Sequence, residues 1–281
     1  MGSMEHPVFS LSTKPDKRRR KYEHNGNTIE IVPSDYGLAT IHDKDVLLYL
    51  ASHIMNDLNH KRDAALKTGE KDIEAPPQRI RFTAYDMLVL TNRTTSKLGY
   101  KRLEAALDRL SGTRIKTNIR TNGKRVTENF GIIDSFGIVR EDEDDENSRM
   151  VAVQVKLSDW FYNALLGQEV LTISEDYFRL RKPLERRIYE LCRKHCGKQP
   201  KWEIGLEILH KKTGTASPMK EFRRMVHKIV KNDHMPDYHL AFDEYERDKL
   251  MVSSHQLAAD FPIQIGLFLK ALTMEDAGRL L

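Results

Sequence analysis

The sequence has few cysteines and no long hydrophobic run. Two cysteines in 281 residues fit a reducing compartment in which disulfides are not structural. No segment reaches the eighteen or more consecutive apolar residues of a membrane-spanning helix, and the N-terminus lacks the apolar core of a signal peptide. We therefore expect a cytoplasmic protein that has no membrane partner.

Signatures of catalysis on DNA are also missing. The eleven histidines never occur as His-x-His, the metal-binding pair that a rolling-circle nicking enzyme needs to neutralise charge on phosphate. No Gly-x-x-x-x-Gly-Lys-[Ser/Thr] sequence is present to bind nucleotide phosphates. The sequence predicts a protein that is not an enzyme and uses no cofactor. Because it would need such a metal-binding pair, a nicking replicase is a less favoured interpretation of this sequence.

Both cysteines lie in one short stretch, Cys-Arg-Lys-His-Cys at 192–196. A zinc site needs four ligands, typically as two spaced pairs, and no second pair is available in the sequence. Cys192 and His195 follow the helical spacing of Leu184 and Ile188. The stretch is therefore predicted to be the inner face of a helix, with no bound metal.

The chain exceeds the usual size of one domain, and its net charge of +5 is concentrated in blocks. Met1-Gly2-Ser3 is typical of a cloning remnant. Residues 5–35 lack helical or strand periodicity and include a basic run at 14–22. Residues 1–35 are therefore predicted to form a flexible arm, either solvated or in contact with phosphates. The C-terminal segment 256–281 has no assigned role.

Residues 36–167 are predicted to form the first folded unit. Its expected elements are a helix over 43–66, a short strand and short helix over 79–92, a helix over 96–112, a hairpin over 113–133, strands at 131–139 and 150–158, and a helix over 159–167. The hairpin prediction depends on Asn122-Gly123, since both residues tolerate positive φ. This order is typical of a winged helix, with the hairpin as its wing.

The same order recurs in residues 168–255. Its expected elements are helices over 183–197, 206–214 and 217–232, and strands at 202–205, 238–242 and 249–254. The predicted fold class is α+β, with two winged-helix domains in tandem. The outer strands near 131–158 are a candidate dimerisation edge.

The helix over 217–232 is the best candidate for DNA recognition. Its apolar stripe consists of Phe222, Met225, Val226, Ile229 and Val230. A helix fits the major groove, where Arg and Lys donate to guanine or bind phosphates. The candidate DNA-binding residues on this helix are Lys220, Arg223, Arg224, His227, Lys228 and Lys231.

Further candidates lie outside that helix. The first unit offers Lys97, Tyr100 and Lys101 on its second long helix, beside Ser96 and Arg102, and its wing carries Arg120, Lys124 and Arg125. The basic outer surface expected for the helix over 183–197 provides candidate phosphate contacts at Arg186, Arg187, Arg193 and Lys194. The second wing's tip, 243–248, is net acidic and is not assigned to DNA.

The blocks 182–197, 202–214 and 220–238 resemble the plasmid replication initiator protein A family. Arg-Arg-Ile-Tyr-Glu at 186–190 and Pro-Asp-Tyr at 236–238 carry the resemblance, which extends from about residue 30 to about residue 255. It implies two winged-helix domains, binding to repeated or inverted double-stranded origin sites (iterons), origin opening, and a homodimer that represses its own promoter. It also implies two partners, the host initiator DnaA and the replicative helicase, and a cytoplasmic location on the bacterial nucleoid or plasmid. A transcriptional repressor with the same fold remains the alternative.

Overall fold

The computed structural model describes residues 7–24, 27–69, 73–118, 120–121, 124–125, 128–142, 144–145, 148–167, 171–197, 199–246, 248–255 and 265–267. The protein has an α+β fold, as predicted. No helix within these ranges is long and apolar enough to cross a membrane.

Seven α-helices and fourteen strands are present in these ranges. The helices are α1 (Lys44–Thr68), α2 (Ala84–Leu90), α3 (Lys97–Gly112), α4 (Asp159–Leu166), α5 (Pro183–His195), α6 (Leu206–Thr213) and α7 (Met219–Asn232). The strands are β1 (Arg20–His24), β2 (Asn27–Val32), β3 (Arg79–Thr83), β4 (Arg114–Thr117), β5 (Arg120–Thr121), β6 (Lys124–Arg125), β7 (Glu128–Gly131), β8 (Ile133–Arg140), β9 (Met150–Leu157), β10 (Leu171–Ile173), β11 (Lys201–Gly205), β12 (Tyr238–Phe242), β13 (Lys249–Ser254) and β14 (Ile265–Leu267).

One order of elements occurs twice when β4–β7, which follow α3, are left aside. The first unit runs α1, β3, α2, α3, β8, β9, and the second runs α5, β11, α6, α7, β12, β13. Each unit has a three-stranded antiparallel sheet whose first strand pairs with the last, in the orders β3-β9-β8 and β11-β13-β12. Each also has its own apolar core, and Leu48 of α1 belongs to the core of the second unit.

The prediction of a flexible N-terminal arm is wrong for residues 7–24 and 27–35. Val8 and Phe9 are buried in the first core, and β1 and β2 form a hairpin that extends a sheet of order β1-β2-β4-β7. The basic run folds onto the protein because buried Asp16 accepts hydrogen bonds from Arg18 and Arg20 at 2.9 Å. Residues 1–6 lie outside the described ranges.

The hairpin predicted as the first wing forms, but in a different sheet. Its base strands β4 and β7 pair with each other and β4 pairs with β2, while β5 and β6 pair near its tip. The pair that corresponds to the second unit's β12 and β13 is β8 and β9. Asn-Gly chemistry predicts a turn but not the sheet that the strands join.

A buried cluster of charged side chains connects the two units. Asp45 of α1 binds Arg186 of α5, and both side chains are 1% exposed. Lys44 Nζ lies 3.0 Å from Glu190 Oε1, and the Tyr177 hydroxyl donates to the same oxygen at 2.8 Å. Charges removed from water this completely require close partners, so the arrangement of the units depends on this pairing.

Candidate nucleic-acid interface

Helix α7 has an apolar face on one side and a basic face on the other. Phe222, Val226 and Ile229 are buried in the second core, at the spacing that aligns residues along one side of a helix. The opposite side carries cations, and its only acid is Glu221. The exposed cationic or titratable side chains are Lys220, Arg224, His227, Lys228 and Lys231. Arg223 is partly exposed, so the helix brings all six predicted DNA-binding residues together.

The hairpin of β12 and β13 holds two of these side chains. Asp248, at its tip, accepts from Arg223 Nε at 3.0 Å and from Arg223 Nη2 at 2.7 Å. The ring of His227 stacks on Phe242 of β12, with centroids 4.2 Å apart. Helix and hairpin therefore present one continuous surface, in which an acidic residue contacts a candidate DNA-binding residue.

Helix α3 offers a smaller basic face. Lys97, Lys101 and Arg102 are exposed, whereas Tyr100 is half-buried against the first core. The helical spacing of Leu98, Leu103, Ala106 and Leu110 predicts one apolar face for α3, but Leu98 is 53% exposed. The next residue, Gly99, packs closely against the turn before α3. An added Cβ at Gly99 would lie 1.8 Å from the Thr94 carbonyl oxygen, so only glycine fits at this position.

The predicted wing residues Arg120, Lys124 and Arg125 are described only by their backbone. Arg120 pairs with Arg125 in β5 and β6, which places these residues at one hairpin end. Their side chains lie outside the described part of the structure, so their DNA contacts stay a prediction.

The prediction of a basic outer surface on α5 is wrong at three of its four residues. Arg186, Arg187 and Arg193 are 1%, 7% and 6% exposed. Arg187 and Arg193 donate to the backbone carbonyls of Lys212 and Thr172 at 2.9 and 2.7 Å. Their guanidinium groups are used inside the protein, because the polar face of α5 packs against other elements instead of water. Lys194 is half-buried.

The cysteines occupy the interior of the second unit. Cys192 is fully buried and Cys196 is 1% exposed, which confirms the prediction of an inner helix face. Burial raises the pKa of both thiols, so neither is a reactive thiolate at neutral pH. Nowhere in the described ranges do three His, Cys, Asp or Glu side chains group in a way that could hold a metal ion.

A cleft of about 830 Å³ lies where the N-terminal segment, α1, α3 and the second unit meet. Exposed Lys14, Arg102 and Arg181 line it, beside Asp43 and Asp45. Arg181 donates to the carbonyl oxygen of Asn92, in the turn before α3, at 2.9 Å. Sequence reasoning missed Arg181, because periodicity gives no sign that a residue between the units lies beside α3.

Two solved structures share this fold. Crystal structures of domains 2 and 3 of RctB align with TM-scores of 0.64 and 0.59 at 11% and 12% identity. The first covers 90% of this chain and 95% of the RctB chain, and the second covers 88% and 94%. At such low identity the likeness shows the fold alone.

Sequence comparison is more specific. A replication protein of Wigglesworthia glossinidia brevipalpis is 38% identical over 245 residues, which cover 87% of this chain and 84% of that protein. The family model for replication initiator protein A matches residues 1–240. The chain therefore belongs to the replication initiator protein A family.

Proposed function

We propose that this chain initiates replication by binding double-stranded origin DNA through two winged-helix domains in tandem. The observation that carries the proposal is α7, whose buried stripe fixes it to the core while its cationic face stays exposed. The repeated element order and the two matching sheet orders support winged-helix domains. Helix α3 holds the same place in the first unit that α7 holds in the second.

Electrostatics favours a phosphate-rich partner for the α7 face. Each phosphate neutralised by Lys or Arg releases counterions, so binding becomes strong and sensitive to salt. The helix can lie in the major groove, where some of its cations meet base edges and others meet phosphates. The partner is therefore duplex DNA, and the chain acts by binding, with no chemistry of its own on the DNA.

Two linked DNA-binding units explain how repeated or inverted sites are recognised. Linkage raises the effective concentration of the second unit once the first has bound. Copies bound on one face of the duplex would be spaced by about 10–10.5 base pairs. Bending by several bound copies would open the origin, to which the host initiator DnaA and the replicative helicase are then recruited. Strand β8 lies at a sheet edge, where a homodimer could form.

DNA binding by α7 is tested with Lys228→Gln/Lys231→Gln. The probe is a duplex that the wild-type chain selects from a random-sequence pool, measured by fluorescence anisotropy at several salt concentrations. Loss of two phosphate contacts makes the negative slope of log K against log salt shallower by about 1.8, since each contact contributes about −0.9. The matched control is Arg62→Gln/Lys67→Gln on α1, which removes the same charge elsewhere and keeps the slope. An unchanged slope in the α7 variant, with folding intact, refutes the assignment.

Initiation itself is tested separately. A plasmid that carries the cognate origin is introduced into a host with the chain supplied from a second plasmid. We expect maintenance with the wild-type chain and loss with the α7 variant. If the plasmid is not maintained although the chain binds its sites, the initiator proposal fails and transcriptional repression remains as the alternative.

A further inference from the structure

The acidic tip of the second hairpin contacts the basic helix in a defined geometry. Asp248 uses both carboxylate oxygens to accept from Nε and Nη2 of Arg223. The Asp248 backbone is anchored as well, because its carbonyl oxygen accepts from the Leu206 N–H at 2.8 Å. The Asp248 backbone is thus held in place while its carboxylate contacts Arg223 of α7.

This side-on arrangement leaves the other edge of the guanidinium open. A guanidinium has five N–H donors in a rigid fork, and the Asp248 carboxylate takes the Nε–H and one Nη2–H. Both Nη1–H groups and the second Nη2–H point away from the carboxylate. An end-on fork of this kind matches the O6 and N7 acceptors of guanine in the major groove.

The same geometry recurs one residue later on α7. Glu221 accepts from Arg224 Nε at 2.9 Å and from Arg224 Nη2 at 2.6 Å. Two adjacent arginines of one helix are therefore both held by carboxylates along their Nε edge. The Arg223 pair differs in that its carboxylate comes from the hairpin, so it also fixes the hairpin relative to the helix.

We infer that Asp248 is a positioning residue: it orients Arg223 to hydrogen-bond with guanine in preference to a phosphate. This inference rests on the proposed DNA binding by α7. A flexible arginine can follow any nearby phosphate, whereas one held along its Nε edge offers a fixed fork and loses less rotamer freedom when it meets a base. The negative charge of Asp248 weakens attraction to phosphate, so it favours discrimination between sequences over general affinity.

The pair contributes little to folding, because both side chains are accessible to solvent: Arg223 is 40% and Asp248 is 63% exposed, and exposed ion pairs add little to stability. The two roles can therefore be separated by mutation. Asp248→Asn keeps the side-chain shape but replaces one accepting oxygen with an NH₂ donor, so the two-bond arrangement is lost. Glu246→Gln is the matched control, because it removes the same charge from the same tip while its partner is Lys249 of the hairpin.

The full-length wild type, Asp248→Asn, Glu246→Gln and Arg223→Ala each select duplexes from one random-sequence pool, and the bound DNA is sequenced. We expect Asp248→Asn and Arg223→Ala to reduce guanine enrichment at the same position by at least about fivefold. Glu246→Gln should retain the wild-type preference. The salt dependence of Asp248→Asn on unselected DNA should equal that of Glu246→Gln.

Three results would overturn the inference. Asp248→Asn could select the wild-type sequence unchanged. Asp248→Asn could bind every sequence more tightly with its preference intact, in which case the carboxylate only masks Arg223. Finally, the wild type could select no sequence at all, which removes the proposed function together with this inference. The first two results leave the proposed function intact. Failure of this inference can therefore be distinguished from failure of the proposed function.

Discussion

Replacing Glu190 with Gln should destabilise the protein more than any exposed acid-to-amide change. Glu190 is 1% exposed and lies between Lys44, Arg187 and Tyr177. Burial raises the pKa of this carboxyl, but Lys44 and Arg187 outweigh that effect, so its pKa is below the usual value and it is charged at neutral pH. The amide keeps an acceptor for the Tyr177 hydroxyl. It leaves the Lys44 ammonium, itself 3% exposed, without this counter-charge.

The magnitude follows from the cost of an uncompensated buried charge. Removing one partner of a buried ion pair typically costs about 3–5 kcal/mol. Because the Tyr177 hydrogen bond survives, we expect the lower end, about 3 kcal/mol of the free energy of unfolding. That is a large part of the roughly 5–15 kcal/mol by which folded proteins are stable. Glu203→Gln removes a carboxylate that is 44% exposed and binds Lys249. It should cost less than about 1 kcal/mol.

The assay is urea unfolding followed by tryptophan fluorescence. The chain has two tryptophans, and each reports on one unit: Trp160 packs against Phe130, and Trp202 stacks on His195. Single-tryptophan backgrounds, Trp160→Phe and Trp202→Phe, therefore follow the units separately. Glu190→Gln should lower the midpoint in both backgrounds. Combining it with Lys44→Met should cost less than the sum of the single changes. A loss below about 1 kcal/mol, or strict additivity, would refute the view that this pair connects the units.

Two other changes test features outside the charged cluster. Burial, together with Arg186 and Arg93, lowers the pKa of His42 from its ordinary 6.5 to about 4. As the pH falls from 6.5 towards 4, His42 therefore binds a proton in the unfolded chain but not in the folded protein, and the free energy of unfolding decreases. Urea unfolding should show a loss of about 2 kcal/mol between pH 7 and pH 5, and His42→Asn should reduce that pH dependence; an equal dependence in the variant contradicts the assignment. Gly214 has a φ of +67°, and an added Cβ would lie 2.2 Å from Pro7 Cγ. Gly214→Ala should therefore lower the free energy of unfolding by at least about 1–2 kcal/mol and expose residues 7–24 to protease. Unchanged proteolysis would show that this contact does not hold the N-terminal segment.

Much of the fold could be predicted because local signals agree with the final packing. Thr83 caps α2, where its hydroxyl accepts from the Asp86 N–H. The stripe of Phe222, Val226 and Ile229 is buried as its spacing indicates. Hydrophobic periodicity and capping depend on neighbours within a few residues, which a sequence displays directly.

Several of the errors share one physical cause, which is that polar residues do not always face water. The strongly polar side of α5 packs against α1 and other elements, so Arg186 and Arg193 are internal. Asp43, at the residue before α1, makes no side-chain cap although Asp is a favoured capping residue, and it instead accepts hydrogen bonds from Arg109 at 2.7 Å. These partners are distant in sequence, and no local pattern specifies them.

The charged cluster also bears on how the two candidate DNA-binding helices are arranged. Asp45 binds Arg186 of the second unit and also Arg93, in the turn between α2 and α3. The adjacent Asn92 carbonyl accepts from Arg181, so the turn that precedes α3 is bound directly to the second unit. A shift between the units must therefore move or release the start of α3. Buried ion pairs therefore fix the spacing between α3 and α7. In the proposed mode of DNA binding, a change that weakens these pairs should alter the preferred distance between sites before it alters the preferred bases within the α7 site.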